Sequence, residues 1–317
     1  MRFVGMGLIA IAVLLTACAV PATPAVVEQA PAKPVVAEKA TVTSELAHPE
    51  ALVDTNWVAE NLHKEGIRLV DVSSKPEVYA EGHIPGAVYV NWQTDLTNPD
   101  DPVAGQILPA QQLEALLGRL GIDNQTTVVL YDDSNSLFAA RAFWVLKYYG
   151  HRDVRVLNGG RKKWVAEGRE LSQEVPNVTP TTYKVGEPNP TIRATWEQIL
   201  ASLKQPDKII LDVRSPKEYT GQDVRSTRGG HIPGAINLEW TSQVNPDGTF
   251  KPVTELRKLY EQAGIKPDQQ VFTYCQTGVR AAHSWFVLTQ LLGFENVVTY
   301  DGSWEEWGNR TDLPIER

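Results

Sequence analysis

Cysteine is scarce in this 317-residue chain: there are two, Cys18 and Cys275. Two thiols in such different company exclude a structural disulfide framework and any thiolate-rich metal site. Histidine is nearly as sparse. The six are scattered, no i, i+4 pair flanks a carboxylate, and a zinc site has no motif to rest on. Positive charge is in deficit as well, with 30 Lys+Arg against 38 Asp+Glu and a net charge of −8. A nucleic-acid backbone needs a basic footprint, and no basic stripe interleaved with aromatics exists here. Long apolar runs are missing too, apart from one at the N-terminus.

That run, Val4 to Leu15, follows Arg2 and ends in small residues. It has the layout of a secretory signal peptide and is short for a spanning helix. Its end, Leu15-Thr16-Ala17-Cys18, is similar to a bacterial lipobox, which implies cleavage after residue 17 and lipidation of Cys18. The expectation is an exported, lipid-anchored protein facing the periplasm. Ala19 rather than Asp after the cysteine favours the outer membrane over the inner one. Residues 18–47 are rich in Pro and Ala without a sustained period and read as a tether.

Past residue 50 the chain repeats itself. WVAENLHKEG, IRLVDVS and EGHIPGAVYVNW are followed later by TWEQILASLKQ, KIILDVRS and GGHIPGAINLEW. Tyr131, Gly150, Gly159 and Trp164 map onto Tyr274, Gly293, Gly302 and Trp307, each 143 positions on. A constant offset means no insertion between the strand, its loop and the next helix. Two copies of one domain are expected, at 48–170 and 193–317, joined by a proline-rich linker at 171–192. Within each, short Val/Ile runs alternate with helix-period segments. That predicts an α/β fold, a mostly parallel sheet with helices on both faces.

In such sheets chemistry gathers at the C-terminal ends of strands. QVFTY reads as a strand, Cys275 stands at its end, and AAHSWFVLTQLLG reads as the following helix. A tight loop there turns successive N–H groups inward, and Gly278 supplies the positive φ that such a curl needs. The helix N-terminus adds free donors and the positive end of its dipole. Arg280 adds fixed charge or braces the loop. This setting favours a thiolate nucleophile, whereas the alternative is a buried cysteine acting as a small hydrophobe.

The doubled domain, the two HIPGA segments and the CQTGVR loop resemble the tandem rhodanese family of sulfurtransferases. The likeness covers nearly all of residues 50–317. It implies two rhodanese-like domains, an inactive N-terminal one and a catalytic C-terminal one. Asp132 stands where Cys275 stands in the second copy, a carboxylate expected to occupy the cradle as an internal anion. The resemblance assigns Cys275 as the nucleophile that carries a persulfide, with Arg280 beside it and no metal or organic cofactor. The amides of Gln276, Thr277, Gly278, Val279 and Arg280 would hold the outer sulfur. It assigns Arg214 to donor binding, with Arg228 as a second candidate, while Arg225 and Arg161 read as ordinary surface charge. The partners implied are a small anionic sulfur donor and a thiol, cyanide or thioredoxin-like acceptor.

Thiosulfate is the preferred donor, because it suits an exported protein and Arg280 could restore lost charge; 3-mercaptopyruvate is the alternative, because Gln276 and Thr277 are neutral where basic residues are associated with thiosulfate. A cysteine phosphatase is a rival. It places its arginine six residues after the cysteine, and here Arg280 is five residues on. A non-catalytic persulfide carrier or binding module is the other rival.

Overall fold

The computed structural model describes residues 45–317; the apolar leader, Cys18 and most of the tether lie outside them. Among these described residues ten strands form two sheets. The first holds β1 (Leu52–Val53), β2 (Ile67–Asp71), β3 (Val88–Tyr89), β4 (Thr127–Tyr131) and β5 (Val154–Leu157), in the order β1-β5-β4-β2-β3. The second holds β6 (Arg193–Ala194), β7 (Lys208–Asp212), β8 (Ile236–Asn237), β9 (Gln270–Tyr274) and β10 (Val297–Tyr300), in the order β6-β10-β9-β7-β8. Every pairing is parallel. The strands are Val/Ile-rich because a sheet covered by helices on both faces needs apolar side chains pointing both ways.

The HIPGA segments tie the sheet ends together in the same way in each half. His83 stacks on Tyr79 at 3.8 Å and His231 on Tyr219 at 3.6 Å. The Ile84 N–H donates to the Tyr131 hydroxyl, and that of Ile232 to the Tyr274 hydroxyl. These histidines are structural in both halves.

β4 and β9 are interior strands, and each feeds a loop and then a helix. The helix Leu137–Tyr148 packs against the helix Val279–Phe286, with Phe143 set edge-on to Phe286 at 4.9 Å. One apolar core therefore runs through both halves. The second helix is predicted as a single α-helical run, but it changes to a π turn over Val287–Leu291. There the Thr289 hydroxyl donates to the Trp285 carbonyl, competing with the backbone pattern. Gly293, at φ +76°, ends it.

Candidate active site

The strand β9 delivers Cys275 to the start of a tight loop, buried at 1 % exposure. Gly278 takes φ +78°, as the curl requires. A side chain there would also collide, since an added Cβ would come within 2.7 Å of Asp301 Oδ1 and 3.0 Å of Arg141 Nη1. Ser303, itself left-handed at φ +51°, holds the loop from beneath. Its hydroxyl accepts the N–H groups of Cys275 and Gly278, each at 3.1 Å, and donates to the Tyr300 carbonyl. The N–H groups of Trp304 and Glu305 donate to the carbonyls of Cys275 and Gln276. Among the described residues, the amides of Gln276, Thr277, Val279, Arg280 and Ala281 have no acceptor. They are the donors left over for an anion on sulfur.

The N-terminal half displays what such a loop does with an anion. Asp132, 1 % exposed, accepts the amides of Ser134 and Ser136 on Oδ1 and of Phe138 and Ala139 on Oδ2, all at 2.7–2.9 Å. Three of these four match Thr277, Val279 and Ala281, 143 positions on. The carboxylate is thus an internal anion in the cradle, as the sequence suggests. Burial pushes its pKa up to about 6, against the pull of the amides. The two loops are not identical in backbone. Asn135 and Ser136 are both left-handed, and the next helix begins at Leu137; in the Cys275 loop Gly278 alone is left-handed, and the helix begins at Val279.

Arg280 is gripped by a residue that the sequence does not announce. Glu218 takes its Nη1 at 2.7 Å and Nη2 at 2.8 Å, a bidentate pair in which the carboxylate is 1 % exposed. Burial works against the Glu218 charge, but Arg280 and Ser215 win and hold its pKa down at about 2. Burial also opposes the Arg280 charge; Glu218 and the proximity of Cys275 outweigh it and raise the guanidinium pKa further. The signal for this pair was in the repeat. Counting from Tyr79 and Tyr219, whose hydroxyls both donate to the HIPGA alanine carbonyl, Glu218 matches Val78, while Arg280 matches Leu137. The half without a thiol has apolar residues at the two positions where the half with one has an ion pair.

Two of the expected donor-binding cations are placed otherwise. Arg214 is 1 % exposed; its Nε and Nη2 are committed to Asp212 and the Gly230 carbonyl, and it stacks 4.5 Å over Trp304. Asp212, two residues earlier, captures it, so it braces the strand end. Arg228 spends all three nitrogens on the carbonyls of Gly308, Leu313 and Trp307. Arg225 is more exposed: its side chain is 52 % exposed, lies 3.6 Å from Glu218 Oε1, and donates from Nε and Nη2 to Asp223 Oδ2. Its neighbour Ser226 accepts from Gln276 Nε2, so this segment borders the Cys275 loop. Of the remaining loop residues, Gln276 and Thr277 are half-buried, and Val279 is buried. His283 is buried against Trp240 and Phe250, its pKa pushed down to about 3 by that burial.

A family model, the rhodanese-like domain, matches residues 54–167 and 195–310. The sulfur carrier protein TtuD of Thermus thermophilus is 47 % identical over 282 residues, 86 % of this chain and 98 % of that protein. The thiosulfate sulfurtransferase of Corynebacterium glutamicum is 43 % identical over 282 residues, 86 % of this chain and 92 % of its own. Among solved structures, an EanB variant with a cysteine persulfide and ergothioneine matches at a TM-score of 0.77 and 27 % identity. That match covers 86 % of this chain and 71 % of that one. The two matched domains, taken with relatives that are thiosulfate sulfurtransferases, make this chain a sulfurtransferase. The chain belongs to the rhodanese-like domain family.

Proposed function

We propose that Cys275 moves the outer sulfur of thiosulfate to a thiophilic acceptor through a persulfide. The thiolate attacks that sulfur, the S–S bond of the donor breaks, and sulfite leaves with the electron pair. The acceptor, cyanide or a thiolate, then attacks the outer sulfur of the persulfide and returns Cys275 to the thiolate. Each step conserves electrons and calls on no metal or organic cofactor. The observation that carries this reading is the set of unaccepted amides around Cys275, matched in the other half by amides that already bind an anion.

Arg225, exposed although paired with Asp223, is suited to draw in the anionic donor, while Arg280 stays with Glu218 and fixes the charge beside the sulfur. That fixed pairing also disfavours a phosphatase, whose arginine must be free to close on a phosphate. A protein acceptor is the second reading, supported by the relative that is a sulfur carrier. We also infer export and a lipid anchor at Cys18; labelled palmitate should enter the wild type and not Cys18→Ser.

The deciding experiment is intact mass after thiosulfate treatment, alongside thiocyanate formation with cyanide. The wild type should gain one sulfur and Cys275→Ser none, with turnover reduced by at least about a thousandfold. Turnover that survives the substitution ends the proposal. 3-Mercaptopyruvate in the same assay decides the donor.

A further inference from the structure

We propose that Arg141, on the half that lacks a thiol, is a positioning residue for sulfur transfer at Cys275 in the other half. It reaches the loop through Asp301. Arg141 Nη1 donates to Asp301 Oδ1 at 2.7 Å, and both side chains are 1 % exposed. The other carboxylate oxygen takes the Ile107 N–H at 3.1 Å and lies 3.2 Å from Arg193 Nε. Arg141 Nη2 donates to the Gly105 carbonyl. Gly105 lies so close to the cysteine loop that an added Cβ would stand 2.8 Å from Thr277 Cβ. Gly278 rests on the Arg141–Asp301 pair itself, and Ser303, which holds the Cys275 and Gly278 amides, is two residues past Asp301. A chain of direct contacts thus runs from the helix of one half to the amides around the sulfur of the other.

The repeat supplies an internal control. The covering segments match: Ile107 corresponds to Phe250 and Gly105 to Gly248, both glycines having φ near +88° (+88° and +87°). Where Asp301 accepts the Ile107 amide, Asn158 accepts the Phe250 amide at 2.9 Å. Ser284 stands in place of Arg141, and Leu52, by its register with Val156, in place of Arg193. The contact is repeated, but its charges occur only on the side with the thiol. A buried ion pair is weak evidence for stability, because desolvation cancels much of the attraction. A bare carboxylate beside a cradle built for an anion would oppose the thiolate and the persulfide. Arg141 at 2.7 Å and Arg193 at 3.2 Å share its charge, and Arg141 is the fully buried one that also touches the Gly278 position, keeping the rigid link that Asp301 provides.

The inference rests on Cys275 being the sulfur-bearing nucleophile, so the test reads the thiol without any sulfur donor. Alkylation of Cys275 by iodoacetamide, followed by peptide mass in the full chain across pH, is compared in the wild type, Arg141→Met, Asp301→Asn and Asn158→Ala. Arg141→Met should slow alkylation at neutral pH about tenfold and displace its profile to higher pH. Its thiocyanate kcat should fall by a similar factor, with donor KM within about threefold. Asn158→Ala should lower the melting temperature without displacing the profile. A profile unmoved by Arg141→Met, or moved as far by Asn158→Ala, overturns the proposal. If Arg141→Met does not fold, Asp301→Asn decides: it leaves Arg141 and Arg193 without their carboxylate behind the loop and should shift the profile to lower pH, and an unmoved or raised profile refutes the idea. A wild type that alkylates as described but takes up no sulfur would fail the functional reading and leave this comparison standing.

Discussion

The loops after β4 and β9 are built on one plan and hold different things. The first surrounds the Asp132 carboxylate with four amides; the second surrounds the Cys275 thiol with amides that have no acceptor among the described residues. Their outer supports differ in kind. The cysteine loop has the Glu218–Arg280 and Asp301–Arg141 ion pairs; at the matching positions the aspartate loop has Val78 with Leu137, and Asn158 with Ser284. The loop whose anion is a permanent side chain has no charged pair at either of these positions. The loop proposed to carry a transient anion is held in shape by charged pairs outside it.

The contrast can be broken most severely at Glu218. Glu218→Gln leaves Arg280 buried without its partner, a class of change that costs about 3–5 kcal/mol, and persulfide formation should fall roughly a hundredfold. The same variant tests the acid limb of stability. The Glu218 pKa lies near 2 when folded, below its ordinary 4.5, so its contribution is complete above that ordinary value and is lost as pH falls toward 2. Melting curves should show that loss in the wild type and not in Glu218→Gln; equal acid limbs would discount the pair.

A smaller effect is expected from Asp132→Asn. The new amide group turns an N–H donor toward amides that had an acceptor, and the protein should lose about 1–3 kcal/mol by denaturant titration. Sulfur uptake at Cys275 should stay within about twofold; a large loss would mean that the two loops do not work separately. Arg225→Ala is the mildest. Donor KM should rise a few fold, and the gap between variant and wild type should close in high salt, as expected for exposed charge. A KM that does not change leaves Arg225 as plain surface charge.

Much of this was readable in the chain. The repeat, the parallel sheets, the place of Cys275 after β9 and the left-handed Gly278 follow from patterns local in sequence. Asp132 as an internal anion follows from the fixed offset between copies. The Arg214 assignment failed for a local reason: position at a strand end is visible, but capture by Asp212 two residues away is not. Glu218 and Arg280 are 62 residues apart, and Arg141 and Asp301 are 160 apart, so neither pair leaves a short-range trace. Ser303 was hidden because a hydroxyl that caps a distant loop looks like any serine.

The left-handed residues separate the fates of the two copies. Enclosing a carboxylate takes two in succession, Asn135 and Ser136, and the position matching Ser136 is Val279. A β-branched side chain resists that conformation. Replacing Cys275 with Asp would therefore not rebuild the N-terminal loop, and placing Cys at 132 would leave a backbone wound for two oxygens. A single exchange at position 132 or 275 therefore leaves each loop with the other's residue on its own backbone.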